Sequence, residues 1–362
     1  MTSLESFTGG RQLAVDTTAI ERELACLWKA ASGVGGGSSP AIIRACQLNL
    51  IVACASAEET GRAASAVAEV IRLHPSRVLM AVVDAADRSN RLQASISAHC
   101  ALAAGAERGS HVCCEQITLT ASSSAIPRLA AAVLPLLVPD LPVVLWWPGD
   151  PDLEADLAAD LTDAADRVVV DSRRFSNPAS SMRRLSVQDC PVSDLAWHRL
   201  RGWRELTAGF FDGEAAETYP PRLEKVLVEY AGAGREISEA ALLGSWVASC
   251  LKWGDRPGPV GKIALQARSE SDQAPGSVLS LTLEAPGASF SLRREGGAEF
   301  VASSMTIDRG ASISRLARVA CRDEATLLSR SLDAGGRDTV YEEAVDRAVR
   351  MLDQGGDEGA KR

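Results

Sequence analysis

The stretch LPLLVPDLPVVLWWPGDPD, residues 134–152, decides how the rest of the chain is read. Its apolar positions are punctuated by proline, then gather into VVLWW and stop at the turn Pro148-Gly149. A short apolar run bounded in this way predicts a buried strand over 143–147. Two of the seven tryptophans stand side by side here, in a chain with only 4% aromatic residues. Successive side chains of a strand point to opposite faces, so Trp146 and Trp147 do not share one pocket. One packs under a covering helix, and the other lies on the opposite face or at the strand's exit. Two readings stay open: both are core, or one anchors a partner, since Trp is favoured at binding hot spots.

Around this strand, apolar runs alternate with helical periodicity. LNLIVACA at 48–55 is a strand, and Ala63, Val67, Val70 and Ile71 mark a helix over 61–73 that Pro75 ends. RVLMAVVD at 77–84 is the next strand, and 92–101 and 111–120 read as adjacent antiparallel strands. A helix over 127–138 can start at Pro127, with Pro135 kinking it or ending it early. An acidic helix over 152–165 and a strand over 167–171 follow the tryptophans. This order predicts a three-layer α/β domain with a mixed sheet over 41–192. Ahead of it, residues 1–40 hold one helix, 18–30, and the linker SGVGGGSSP. That linker lacks the preceding strand and the Lys-Ser/Thr ending of a phosphate loop.

Residues 172–192 read as an exposed connection with a basic bias, carrying Arg173, Arg174, Arg183 and Arg184. From 193 to 362 the character changes. DLAWHRLRGWRELTAGFF reads as one helix capped by Ser193 or Asp194, with Ala196, Leu200, Trp203, Leu206 and Phe210 along its core face and Trp197 off it. A strand at KVLVEY, a helix over 238–253 and four short alternating segments within 263–307 follow. Pro286-Gly287 and Gly296-Gly297 supply hairpin turns. A last helix turns Tyr341, Val345, Ala348 and Leu352 inward, and the tail from 354 is expected to fray. The prediction is an α+β domain with an antiparallel meander.

At 362 residues, 46% hydrophobic and 23% charged, the chain has room for two ordinary domains. Its 38 basic and 47 acidic residues leave a net charge of −9, which argues against non-specific nucleic-acid binding. No signal peptide opens the sequence, and the apolar region 125–147 is too interrupted to span a membrane. The expectation is a cytoplasmic protein with no membrane partner. Among nine cysteines, Cys46, Cys54, Cys100 and Cys250 read as buried thiols in a reducing compartment. Cys113 and Cys114 read as two packed thiols rather than a redox switch. No CxxC pair and only four histidines are present, so neither a metal nor a cofactor is expected. His74, His99, His111 and His198 belong to no catalytic motif, and GxSxG, GxGxxG after a strand and HExxH are missing. The acidic run from Asp150 to Asp166 and the arginines that follow it either pair with each other or form a charged docking surface. Together these features favour an interaction protein over an enzyme.

Several blocks add up to a family pattern: RACQLNLIV at 44–52, HPSRVLMAVVD at 74–84, HVCCEQITL at 111–119, the block that begins at Leu134, and WHRLRGWRELTAGFFD at 197–212. Together they resemble the OpcA family of glucose-6-phosphate dehydrogenase assembly proteins. The resemblance implies a non-catalytic partner that promotes the dehydrogenase's active oligomer and raises its affinity for substrate, feeding the oxidative pentose phosphate pathway. It transfers no functional residue. The candidate contacts are Trp146 or Trp147 together with Arg173, Arg174, Arg183 and Arg184. A second reading is an α/β enzyme or sensor that binds a sugar phosphate beyond the carboxyl ends of the strands. His74-Pro75-Ser76-Arg77 or Trp147-Pro148-Gly149 would then line the crevice.

Overall fold

The computed structural model describes residues 5–14, 16–33, 42–102, 111–151, 156–254, 261–295, 299–308, 310, 313–319 and 322–359. Two compact units divide the chain, Met1–Val170 with Glu324–Gly335 and Asp171–Asp323 with Gly336–Arg362. The first begins with β1 (Glu5–Ala14), α1 (Thr17–Gly33), β2 (Ile42–Arg44), β3 (Leu48–Cys54), α2 (Ala57–Val70) and β4 (Ser76–Asp84). It continues through β5 (Leu92–Leu102), β6 (His111–Ser122), α3 (Leu129–Val133), β7 (Val143–Trp146), α4 (Asp156–Asp163) and β8 (Arg167–Val170). Its sheet runs β1-β5-β6-β4-β3-β7-β8, with β2 beside β6. The pairs from β6 to β8 are parallel, while β1–β5 and β5–β6 are antiparallel. Every residue of β3 and β7 is buried, as strands covered on both faces require.

Local chemistry explains where several boundaries fall. Ser56 caps α2 by accepting from the Glu59 amide at 3.2 Å, and the Glu59 carboxylate turns back to the Ala55 amide at 2.8 Å. This reciprocal cap, with Glu58 and Glu59 at the positive helix end, starts α2 a turn before the apolar spacing begins. The helix expected over 127–138 is reduced to α3 between two short 3-10 turns that contain Pro127 and Pro135. Proline removes a helical donor and crowds the preceding turn, which breaks so short a segment.

Long-range pairing changes other expectations. Residues 5–14 form an edge strand on β5, with a register shift between Gly9 and Leu13 that hides their alternation. Of the expected linker SGVGGGSSP, 32–40, Ser32 and Gly33 end α1, and 34–40 lie outside the described residues. Cys100 and Cys113 occupy directly opposed positions on β5 and β6, 4.1 Å apart at Cα, and are joined as a disulfide. Cys100 is therefore not a simple packed thiol, and only Cys114 of the adjacent pair is one. Burial pushes Cys114 up to about 11. Cys54 is buried as expected, whereas Cys46 is half-buried and Cys250 exposed.

The second unit contains α5 (Pro178–Ser186), β9 (Val192–Asp194), α6 (Leu195–Arg199), α7 (Arg201–Gly209), β10 (Lys225–Ala231), α8 (Ser238–Cys250) and β11 (Lys262–Arg268). β12 (Val278–Ala285), β13 (Ala288–Glu295), β14 (Phe300–Ile307) and β15 (Ile313–Arg318) follow. α9 (Glu324–Asp333) returns to the first unit, and α10 (Thr339–Gly359) closes the second. The expected helix over 194–211 is broken at Leu200 into α6 and α7. β12 to β15 form the expected meander, extended by β15, but β10 and β11 pair in parallel across α8, so this sheet too is mixed. α10 continues as helix to Gly359, through the segment expected to fray.

α8 is buried along nearly its whole length, as an apolar helix without a wet face must be. Gly244 permits its close approach to β11, since a Cβ there would lie 2.9 Å from Ile263 Cγ2. Gly244→Leu therefore overpacks this layer by about 1–3 kcal/mol, partly offset by the roughly 1 kcal/mol gained in helix propensity. Urea unfolding is expected to show a lowered midpoint, and Gly244→Ala a smaller loss.

Candidate functional site

Ligands of α/β sheets favour the crevice beyond the carboxyl ends of the strands. In the first unit the chain itself fills that space. The Glu59 carboxylate lies so close to Gly149 that a Cβ there would collide with it. Arg62 donates to the Pro148 carbonyl at 2.7 Å and pairs with Glu324 at 3.2 Å. An acidic first turn occupies the helix end where a phosphate would otherwise sit, and like charge repels one. Residues 74–77 are tied to neighbouring elements. His74 Nε2 lies 2.7 Å from Ser329 Oγ, and Arg77 is held by Glu115 and Glu21, each at 2.8 Å. The Trp28 indole donates to the same Glu115 at 2.6 Å, completing a buried polar group at the amino end of β4.

The tryptophan pair belongs to the core. Trp146 has no exposed surface and Trp147 only 7%, with β3 and β8 flanking Trp146 on either side. A side chain without exposed surface cannot touch a partner while the fold is intact, which removes Trp146 as an anchor and leaves Trp147 little surface to offer. Both indole N–H groups are buried without a hydrogen-bond partner among the described residues.

The predicted arginines separate into two groups. Arg183, on α5, is 53% exposed and pairs with the equally superficial Asp353, and Arg184 lies beside it, half-buried. Arg173 and Arg174 instead join an ion network at the start of the second unit. Asp171, completely buried, accepts from Arg199 Nη1 at 2.7 Å and Nη2 at 2.6 Å, with Arg174 Nε at 3.4 Å. Glu239, in the first turn of α8, accepts from Arg173 Nε at 2.8 Å and Nη2 at 2.6 Å and lies 3.5 Å from Arg199. Asp194 caps α6 through the Ala196 amide at 2.9 Å, accepts from the Ser172 amide at 3.0 Å, and meets the Tyr341 hydroxyl at 3.3 Å. Trp197 donates to Asp338 at 2.8 Å, with the Arg204 guanidinium 3.5 Å above its ring.

Electrostatics splits the two buried aspartates. Burial is the largest influence on Asp171 and raises it, but the combined pull of Arg199, Arg173 and Arg174 more than reverses this, and its carboxyl lies below the usual range. Burial pushes Asp194 up to about 6, and the charge of Asp171 adds to the rise. Beside this network lies a cavity of about 340 Å³ whose lining includes Arg173, Arg199, Trp203, Glu239, Arg294 and Arg322. Sequence reasoning named Arg173 but missed Asp171, Arg199 and Glu239. A single carboxylate directly after an apolar strand was the available signal.

Two outcomes follow from these charges. Asp171→Asn leaves the Arg199 charge poorly answered and is expected to cost about 3–5 kcal/mol in urea unfolding. Asp194, raised from 3.8 to about 6, adds stability that is full below 3.8 and lost as pH rises through about 6. Asp194→Asn cannot ionise, so its melting temperature is expected to fall less than that of the unaltered protein across this window.

Residues 67–187 match a family model described as "Glucose-6-phosphate dehydrogenase subunit N-terminal domain", and residues 190–345 its C-terminal counterpart. The family boundary thus falls near 188, whereas compactness divides the chain after Val170. A Synechocystis protein titled "Putative OxPP cycle protein OpcA" is 28% identical over 317 residues, 78% of this chain and 65% of that protein. A Synechococcus elongatus protein of the same title is 32% identical over 165 residues, 45% of this chain and 36% of that protein. The chain spans less than two thirds of the length of either relative. Among solved structures, an aldose-aldose oxidoreductase from Caulobacter crescentus aligns with a TM-score of 0.41 at 10% identity over 85% of this chain and 96% of that one, too low a likeness to carry an argument. Because both domain models match in order, and the tryptophan strand and the Asp171–Arg199 network lie within their span, the chain belongs to the OpcA family of glucose-6-phosphate dehydrogenase assembly proteins.

Proposed function

We propose that this protein binds glucose-6-phosphate dehydrogenase and acts on it without catalysing a reaction itself. In this reading it favours the dehydrogenase's active oligomer and raises its affinity for glucose 6-phosphate, at the entry to the oxidative pentose phosphate pathway. The observation that carries it is the ordered match of both dehydrogenase-subunit domains over 67–345. The first unit's crevice, occupied by Glu59, Arg62 and Glu324, adds support by leaving the usual ligand position of an α/β sheet filled.

An activator shifts its partner only by as much as it binds the active form more tightly, and a tenfold preference corresponds to about 1.4 kcal/mol. Of the candidate contacts, the carboxyl end of α5 is the accessible one. Arg183 there stands beside Val187, which is 74% exposed. Such a charge steers encounter, and the apolar neighbour adds area. Trp146 and Trp147 serve docking only by holding the strand that organises the first unit.

The test adds purified protein to the dehydrogenase of the same source and follows its rate at low glucose 6-phosphate together with particle mass by light scattering. A larger complex and a raised rate are expected. Neither change would remove the proposal. Arg183→Glu with Val187→Asp is expected to weaken association severalfold with melting temperature unchanged. Trp146→Phe is expected to keep both fold and complex, whereas Trp146→Ala costs about 3–5 kcal/mol and loses both together.

A further inference from the structure

β11 forms one edge of the second unit's sheet and, among the described residues, is hydrogen-bonded to β10 alone. The Lys262 amide donates to the Glu224 carbonyl at 2.8 Å, and the Arg268 carbonyl accepts from the Gly232 amide at 3.0 Å. Backbone groups of successive strand residues point to opposite sides. The amides and carbonyls of Ile263, Leu265 and Ala267 therefore point away from β10 and form an open ladder. The two edges of this sheet are guarded differently. β15, ISRLAR, carries Arg315 in mid-strand, a charge that discourages further pairing. β11, KIALQAR, keeps its charges at the ends and leaves 263–267 uncharged. An edge of this length without a central charge is a template for another strand.

An apolar groove of about 570 Å³ lies along this edge. Ile263 and Leu265 turn toward α8, since a Cβ at Gly244 would lie 2.9 Å from one and 3.7 Å from the other. Both still keep part of their surface exposed and form one wall of the groove. Ile237, Pro178 of α5, and Met351 and Leu352 of α10 contribute to the other walls. A strand added to β11 would turn every second side chain into this groove. Arg235 is the one charged residue of the lining, is exposed, and makes no hydrogen bond or ion pair among the described residues. Its guanidinium suits a carboxylate on the incoming segment. The groove also continues into the α5 surface proposed for docking, because Asp353, next to Leu352, pairs with Arg183.

We propose that the dehydrogenase lays an extended segment along β11, with alternate apolar side chains in the groove and a carboxylate at Arg235. This rests on the function proposed above and names the surface and the kind of segment it takes. Main-chain hydrogen bonds to the open ladder supply affinity, and the groove selects the side chains.

Amide hydrogen exchange tests it, measured on the full chain alone and in complex with the dehydrogenase of the same source. The Ile263, Leu265 and Ala267 amides are expected to exchange fast in the chain alone and about tenfold or more slowly in the complex. Ala267→Pro removes one outward donor, which an edge position tolerates, and leaves the pairing with β10 in place. It is expected to weaken association roughly two- to tenfold with the melting temperature unchanged. Arg235→Glu, which sets a carboxylate against a carboxylate, is expected to weaken it about tenfold. An intact complex in which these amides exchange as before, or unchanged affinity in both variants, would overturn the added strand and leave the proposed function standing. Slow exchange of the same amides in a dimer of the chain alone would give the edge to a second copy and likewise overturn it. Absence of any complex would overturn both readings.

Discussion

A carboxylate with no exposed surface must be answered inside the fold, and Asp171 is answered by both terminal nitrogens of Arg199. Taking the two charges out of water is costly, and only paired, well-directed hydrogen bonds offset it. Much of the second unit is arranged to supply them. α6 carries Arg199 to the carboxylate, Asp194 caps that helix, and Glu239 at the start of α8 fixes Arg173 beside it. The same requirement that keeps this cluster rigid leaves an arginine-lined recess next to it.

The first unit obeys a different constraint. Its central strands are buried on both faces, so the sheet must be covered on each side and the tryptophan strand lies where covering is complete. The space beyond the strand ends is then closed by Glu59, Arg62 and the returning helix α9. A layout that in other proteins opens toward a ligand is here used for internal packing, with an acidic helix start in place of a phosphate.

How much was legible depended on the range of the interaction that decides each feature. Leu48–Cys54, Ser76–Asp84 and Val143–Trp146 were readable because an unbroken apolar run leaves a strand few alternatives. The antiparallel pairing of 92–101 with 111–120 was readable from alternation. The edge strand at Glu5–Ala14 was not, since Gly9 and Gly10 interrupt its pattern and only β5 supplies its partner. The break at Leu200 was likewise hidden, because an apolar stripe with helical spacing runs straight through it. Among candidate site residues, Arg173 was found for its basic neighbourhood, though its role is set by Glu239, 66 positions away.

Residue order alone established the central strands, most helices, the absence of known catalytic motifs and the family blocks around PDLPVVLWW, because these depend on spacing within a few turns of chain. Tertiary structure decided that both tryptophans are buried, that Cys100 meets Cys113, and that Asp171, Arg199 and Glu239 converge. The reason is physical. Periodicity says which face of an element is apolar but not what covers it, and a charge in sequence carries no sign of which distant charge will share its burial.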